Sequence, residues 1–231
     1  MYPRPQLKRE SFFLLNGQWD FAFDDENIGV LEGWSHTVRG DRKINVPFTY
    51  ETGKSGIGDE RPHGVIWYWK NITITNEFKK DQSIQINFEG CDYHLDLWVN
   101  GVYKGSHDGA YTRFAFELGK FAEGEEVLLS IRVEDPHSEE QVRGKQRWLS
   151  DNYGCWYVQT TGIWKDVWLE QVSDDYVEKI KITPDIYKKT VTIHTMCHSN
   201  KENLIMKSDV YFEGKFINSV SGKLEAGVCQ T

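Results

Sequence analysis

Alternation of apolar and polar residues with a period of two is the feature that most limits what this chain can fold into. Ile84, Ile86 and Phe88 are interleaved with Gln85 and Asn87, and Leu95, Leu97 and Val99 with His94, Asp96 and Trp98. Val127, Leu129, Ile131 and Val133 stand opposite Ser130, Arg132 and Glu134, and Ile163, Val167 and Leu169 beside Trp164, Asp166 and Trp168. Successive side chains of an extended strand point to opposite faces, so each run reads as a strand with one face in a core. Such one-sided burial belongs to antiparallel sheets. No stretch carries a sustained helical period.

The turn residues agree. Asn100-Gly101 separates two strand patterns and supplies the positive φ values of a two-residue hairpin. Gly119 to Gly124 interrupts the next pair, and Asp135-Pro136 stops the strand ending at Glu134. Short strands at this spacing predict an all-β fold, specifically a two-sheet jelly-roll β-sandwich. A boundary is expected near Gln171 to Asp175, giving a first domain over 1–172 and a second over 173–231. The second repeats the strand pattern at Tyr176–Ile182, Thr190–Met196, Leu204–Phe212 and Lys215–Val220, with Glu213-Gly214 as a hairpin turn. It is short for a β-sandwich, which predicts an incomplete domain with an unpaired sheet edge.

Charge removes one class of partner. The 231 residues carry a formal charge of -8 with no basic block, so the field needed to hold phosphate backbones is absent and no nucleic acid is expected. The opening MYPRPQLKRE has no apolar signal segment and the chain has no apolar run of membrane-spanning length, which predicts a cytoplasmic protein without a membrane partner. Cys91, Cys155, Cys197 and Cys229 lack metal-site or redox spacing and read as reduced, buried and inert. His107 beside Asp108 reads as a strand-end histidine bonded to backbone. No metal and no cofactor is expected. Nine tryptophans permit stacking on the C–H faces of sugars, although sandwich cores consume aromatics too.

Six motifs occur in an order that resembles the amino-terminal region of glycoside hydrolase family 2, the β-galactosidase and β-glucuronidase group. They are Tyr2-Pro3-Arg4-Pro5-Gln6 followed by Leu15-Asn16-Gly17-Gln18-Trp19-Asp20-Phe21; Val46-Pro47-Phe48 leading to Ser55-Gly56-Ile57-Gly58; and Ile66-Trp67-Tyr68-Trp69. Then come Trp98-Val99-Asn100-Gly101, Gly105 to Tyr111 with Phe114, and Cys155-Trp156-Tyr157-Val158-Gln159-Thr160-Thr161-Gly162-Ile163-Trp164 running on to Asp166-Val167-Trp168-Leu169-Glu170. The resemblance implies a galactose-binding-like jelly roll followed by the start of an immunoglobulin-like sandwich. It also implies a parent enzyme that cleaves β-glycosides with retention through two glutamates of a (β/α)₈ barrel. Lys70 and Gln159 stand where the family often has arginine (or, at the second position, proline), which leaves galactoside and glucuronide both open.

A barrel takes about 250 residues of alternating strand and helix, a pattern this sequence lacks, so no catalytic residue is assigned and the chain is expected to be inactive alone. Asn76-Glu77 superficially resembles the family's acid/base pair but reads as a solvated turn beside Lys79 and Lys80. Loops on rigid sandwiches carry function. In the family, the polar-aromatic stretch Arg143–Gln159 approaches the barrel mouth, and Asp151, Asn152, Tyr153, Trp156, Tyr157 and Gln159 are the candidate substrate-binding residues. Ser55 joins them from the loop Glu51–Gly64, whose glycines and charges read as mobile. The alternative is that Trp156 and Tyr157 merely plug the base of the sandwich. Expected partners are therefore a carbohydrate, met through the full-length enzyme, and the chain's own catalytic barrel; a homo-oligomer is compatible with both. An independent carbohydrate-binding module or lectin, or a purely structural or oligomerisation domain, are the competing readings.

Overall fold

The computed structural model describes residues 4–136, 140–224 and 228–230; the side chains of the last three, Cys229 among them, lie outside the description, as do Tyr2 and Pro3 of the opening motif. The chain divides into two compact units, Glu10–Gln171 and a second made of the residues up to Arg9 with those from Val172 onward. The strands in chain order are β1 (Phe12–Leu14), β2 (Gly17–Phe23), β3 (Arg42–Val46), β4 (Val65–Thr73), β5 (Ser83–Phe88), β6 (Cys91–Asp92) and β7 (His94–Val99). They continue as β8 (Val102–Asp108), β9 (Phe114–Gly119), β10 (Glu126–Glu134), β11 (Gly162–Ile163), β12 (Val167–Val172), β13 (Tyr176–Asp185), β14 (Thr190–His198), β15 (Ile205–Phe212), β16 (Lys215–Lys223) and β17 (Val228–Gln230).

The larger unit is a sandwich of a six-stranded sheet, ordered β3-β2-β4-β10-β7-β8, and a four-stranded sheet, ordered β1-β12-β5-β9. β6 and β11 pair separately, with Gly162 opposite Asp92 and Ile163 opposite Cys91. Alternation decides the inner faces. Phe21, Tyr68, Ile131 and Leu97 from one sheet meet Ile86, Phe88, Val167 and Leu169 from the other in a single core. Each large apolar side chain buried this way contributes roughly 1.5–3 kcal/mol. The Asn100-Gly101 hairpin forms as expected, with φ of 49° and 78°.

Two strands depart from the simple alternation. β4 is buried on both faces: Ile66 and Tyr68 point into the core, while Trp67 and Trp69, both 0% exposed, point outward. There they form a second apolar cluster with Ala22 and Val65, flanked by Trp34, Val38 and Trp98 from the segment after β2 and from β7. Trp67 stacks on Trp69 at 5.8 Å and on Trp98 at 5.3 Å. The run from Ile163 to Leu169 is not one strand. Trp164 leaves the line and donates its indole N–H to the Ala110 carbonyl at 2.8 Å, so β11 and β12 are separate. Trp168, on the face read as solvated, is fully buried.

In the second unit, β13-β14-β17 form one small sheet and β15-β16 a hairpin closed by Glu213-Gly214, with φ of 48° and 77°. Arg9 donates to the Val177 carbonyl at 2.6 Å and lies over the Tyr176 ring. Ile182, Phe212 and Phe216 remain exposed on these strands. No helix among the described residues is long and apolar enough to cross a membrane.

Candidate functional site

Two loops of the larger unit meet at one end of the sandwich. The first, residues 51–64, is wound around Tyr50 instead of hanging free. The Tyr50 carbonyl accepts from the N–H groups of Gly58 and Asp59 at 2.9 and 3.2 Å. Its phenol donates to the Arg61 carbonyl at 3.1 Å and accepts from the His63 N–H at 3.0 Å. The mobility expected from the glycines and charges is thus replaced by an ordered, hydrogen-bonded loop. Ser55 is fully buried, its hydroxyl donating to the Thr52 carbonyl at 2.7 Å and accepting from the Ile57 N–H at 3.0 Å. It shapes the turn and does not reach the surface with the other candidates. At the rim, Arg61 binds Asp59 through Nε at 2.9 Å and Nη2 at 2.5 Å, which holds the Asp59 carboxyl well below its ordinary range.

The second loop is organised by Arg147, a side chain only 7% exposed. Its Nε donates to Gln159 Oε1 at 3.1 Å, Nη1 to Asn152 Oδ1 at 3.1 Å and Nη2 to the Glu60 carbonyl at 3.2 Å. Gln159, 4% exposed, donates to the same Glu60 carbonyl at 2.8 Å. A planar guanidinium with five donors suits such a junction. Between these anchors the chain doubles back at Gly154-Cys155. Tyr153 and Trp156 exchange backbone bonds of 3.3 and 2.9 Å, and Gly154 sits at φ 53°, the first central position of a II′-type hairpin. The turn sets Tyr153 and Trp156 beside each other, and both meet Trp148 edge-on at 5.5 and 4.8 Å.

Beneath the loops lie three buried carboxyls. Thr161 donates its N–H to Glu51 at 2.9 Å and its hydroxyl to Asp135 at 2.8 Å. Gln146 links Asp92, at 2.7 Å, to the Thr160 N–H, at 2.9 Å. Burial pushes the Glu51 carboxyl up to about 8, and burial with the neighbouring Asp135 charge pushes Asp92 up to about 7. Burial also raises the Cys91 thiol, in keeping with an inert cysteine. Cys155, by contrast, is exposed at the tip of the hairpin and Cys197 is half-buried, because neither lies on a core-facing strand position. His107 bonds Thr112 at 3.0 Å and stacks on Phe114 at 3.9 Å. Among the described residues no cluster of three or more His, Cys, Asp or Glu could hold a metal. Asn76 and Glu77 lie in an exposed turn.

The two loops, with Pro136, flank a half-open cleft of about 680 Å³ lined by Glu60, Arg61, Pro62, Pro136, Arg147 to Asp151 and Gln159. Of the sequence candidates, Asp151 and Gln159 reach it. Asn152 stands behind as an Arg147 partner, and Tyr153 and Trp156 buttress Trp148. Tyr157 is 59% exposed but lies outside the cleft. Trp148, which belongs to the polar-aromatic stretch expected to meet sugar, forms part of the wall, whereas Arg147 was not singled out as a candidate. An arginine in a polar loop reads as solvated, and nothing local signals that it will be buried by a second loop some 87 positions earlier.

This is an all-β module whose long loops converge on a polar-aromatic recess. The profile of the "Glycosyl hydrolases family 2, sugar binding domain" matches residues 12–173, and the chain belongs to that family. A "Putative beta-glucuronidase" of Formosa agariphila is 28% identical over 165 residues, covering 68% of this chain and 19% of that protein. A "Beta-galactosidase" of Thermoanaerobacterium thermosulfurigenes is 27% identical over 213 residues, covering 90% and 28%. In fold the chain is similar to the β-glucuronidase of Ruminococcus gnavus, with a TM-score of 0.72 at 16% identity over 100% of this chain and 40% of that one. It is likewise similar to the Bifidobacterium dentium β-glucuronidase complexed with coumarin-3-O-glucuronide, with a TM-score of 0.75 at 17% identity over 100% and 43%. The chain thus spans less than half the length of these relatives.

Proposed function

We propose that this chain is the amino-terminal, non-catalytic part of a retaining β-glycosidase of the β-galactosidase or β-glucuronidase type. In this reading residues 1–172 form a galactose-binding-like jelly roll and 173–231 begin an immunoglobulin-like sandwich. The observation that carries it is the family match over residues 12–173. The loops at 51–64 and 143–159, tied together through Arg147, Gln159 and Glu60, then serve as a fixed edge for the substrate pocket of a barrel supplied elsewhere in the protein. Asp151, Asn152, Tyr153, Trp156, Tyr157 and Gln159 act there as contact or supporting residues. A preformed edge lowers the cost of assembling a pocket, since its side chains are already ordered when sugar arrives.

The test is hydrolysis of aryl β-galactosides and aryl β-glucuronides. The 231-residue chain is expected to show none, and the product of the complete reading frame is expected to turn over at least one. Turnover by the chain alone, lost on mutating one of its own glutamates, would overturn the reading. A complete reading frame without a barrel would favour the independent carbohydrate-binding module.

A further inference from the structure

We infer that Glu51, Asp92 and Asp135 form a proton-held latch on the two site loops: while Glu51 and Asp92 keep their protons the loops stay closed on the sandwich, and loss of those protons releases them. The tethers at the base of the second loop end on these three carboxyls, directly or through one glutamine. Gln141 donates to Asp135 Oδ1 at 2.5 Å, Gln146 to Asp92 Oδ2 at 2.7 Å, and the Thr160 N–H to Gln146 Oε1 at 2.9 Å. Thr161 gives its N–H to Glu51 at 2.9 Å and its hydroxyl to Asp135 at 2.8 Å. Glu51 is itself the first residue of the other loop. At that loop's far end, the Gly64 carbonyl accepts from the Asp135 N–H at 2.9 Å, so one cluster holds both loops.

The cluster is deeply buried and short of positive charge. Glu51, Asp92 and Asp135 are 6%, 2% and 1% exposed, and Glu51 Oε2 and Asp92 Oδ1 have no hydrogen-bond partner among the described residues. The titratable and charged groups that face Glu51 and Asp92 are Asp135, Tyr50, Tyr68, Cys91 and Arg143. Arg143 is the cation of that set, against three carboxyls, so the excess negative charge is relieved by keeping protons. A buried carboxylate with a bare oxygen must be hydrated once it ionises. The neighbours on the core side, Tyr68, Cys91 and Ile163, are fully buried strand residues, so the loops are the part that yields to water. Closed loops bind more protons than open ones. Closure is therefore fully supported below about pH 4 and loses that support as pH rises through about 7 and 8.

The test is limited trypsin digestion of the whole 231-residue chain at about pH 6.5 and about pH 9, with the fragments identified by mass spectrometry. Cuts after Lys54 and Arg147 report the two loops, and Arg147 is 7% exposed, so its bond is reached when the loop lifts. The cut after Lys188, whose side chain is 80% exposed in the turn between β13 and β14, corrects for trypsin's own pH response. The cut after Arg132, buried in β10, reports global unfolding. Cleavage after Lys54 and Arg147 relative to Lys188 is expected to rise about tenfold or more across this range with Arg132 uncut, because proteolysis follows the population of the open form. Glu51→Gln combined with Asp92→Asn is expected to abolish the rise, and Glu51→Gln alone to shrink it. Circular dichroism checks that each variant is folded, and if neither folds the wild-type ratio decides alone. A ratio at either loop that ignores pH, a rise undiminished in the folded variants, or cutting after Arg132 together with Arg147 would overturn the latch.

Discussion

At Ile131 and Ile163 the sandwich core has no slack, as both are 0% exposed and surrounded by apolar neighbours. Ile131→Ala and Ile163→Ala are expected to cost about 2–5 kcal/mol each, through lost transfer energy and the cavity left behind. Trp98 sits on the opposite face of β7, half-buried against Trp67, and Trp98→Ala is expected to cost less, about 1–2 kcal/mol. Urea unfolding of the three variants checks the order; equal losses would show that the inner and outer faces are misassigned. These three positions were legible from alternation alone. Trp67 and Trp69 were not, because a period-two pattern names a buried face and an exposed one and has no way to encode the segment that covers the second.

Among the connecting elements, two glycines separate steric need from conformational need. Gly154 turns the aromatic hairpin at φ 53° with open space where a Cβ would stand. Gly162 opens β11 at φ 98°, and a Cβ there would lie 2.1 Å from the Tyr68 hydroxyl, which is fully buried and accepts from the Ile163 N–H at 3.3 Å. Gly154→Ala should therefore lose only about 1 kcal/mol. Gly162→Ala should lose about 3 kcal/mol or more, since neither ring nor strand can retreat. Thermal unfolding of the pair decides it, and equal tolerance would contradict the packing around Tyr68. Hairpins such as Asn100-Gly101 could be read because their chemistry is local. The junction of the two site loops could not, because Arg147 and Glu60 are far apart in sequence and share no local signal. Ser55 shows the reverse failure: a small polar residue in a glycine-rich loop looks available until its hydroxyl is found closing its own turn.

Over the larger unit as a whole, the buried carboxyls give stability a pH dependence of unusual direction. Glu51 and Asp92 hold their protons up to about 8 and about 7 in the fold, against 4.5 and 3.8 as their ordinary values. Between the unfolded and folded values the native state binds more protons, so their contribution is full below about pH 4 and is lost as pH rises through 7 and 8. Acid denaturation through other groups sets the lower limit. From about pH 5 to pH 9 the chain is expected to lose roughly 2–5 kcal/mol, and Glu51→Gln to flatten that slope. Denaturant midpoints across this range check it, and a slope unchanged by the substitution would remove Glu51 from the account. The doubly buried strand β4 has its own consequence for the molecule. From Ile66 to Trp69 it is paired with β2 on one side and β10 on the other, with apolar clusters above and below. No local opening can reach those amides without taking both sheets apart. In deuterated solvent they should be the last protons to exchange, and their rate will measure the free energy of global unfolding of the sandwich.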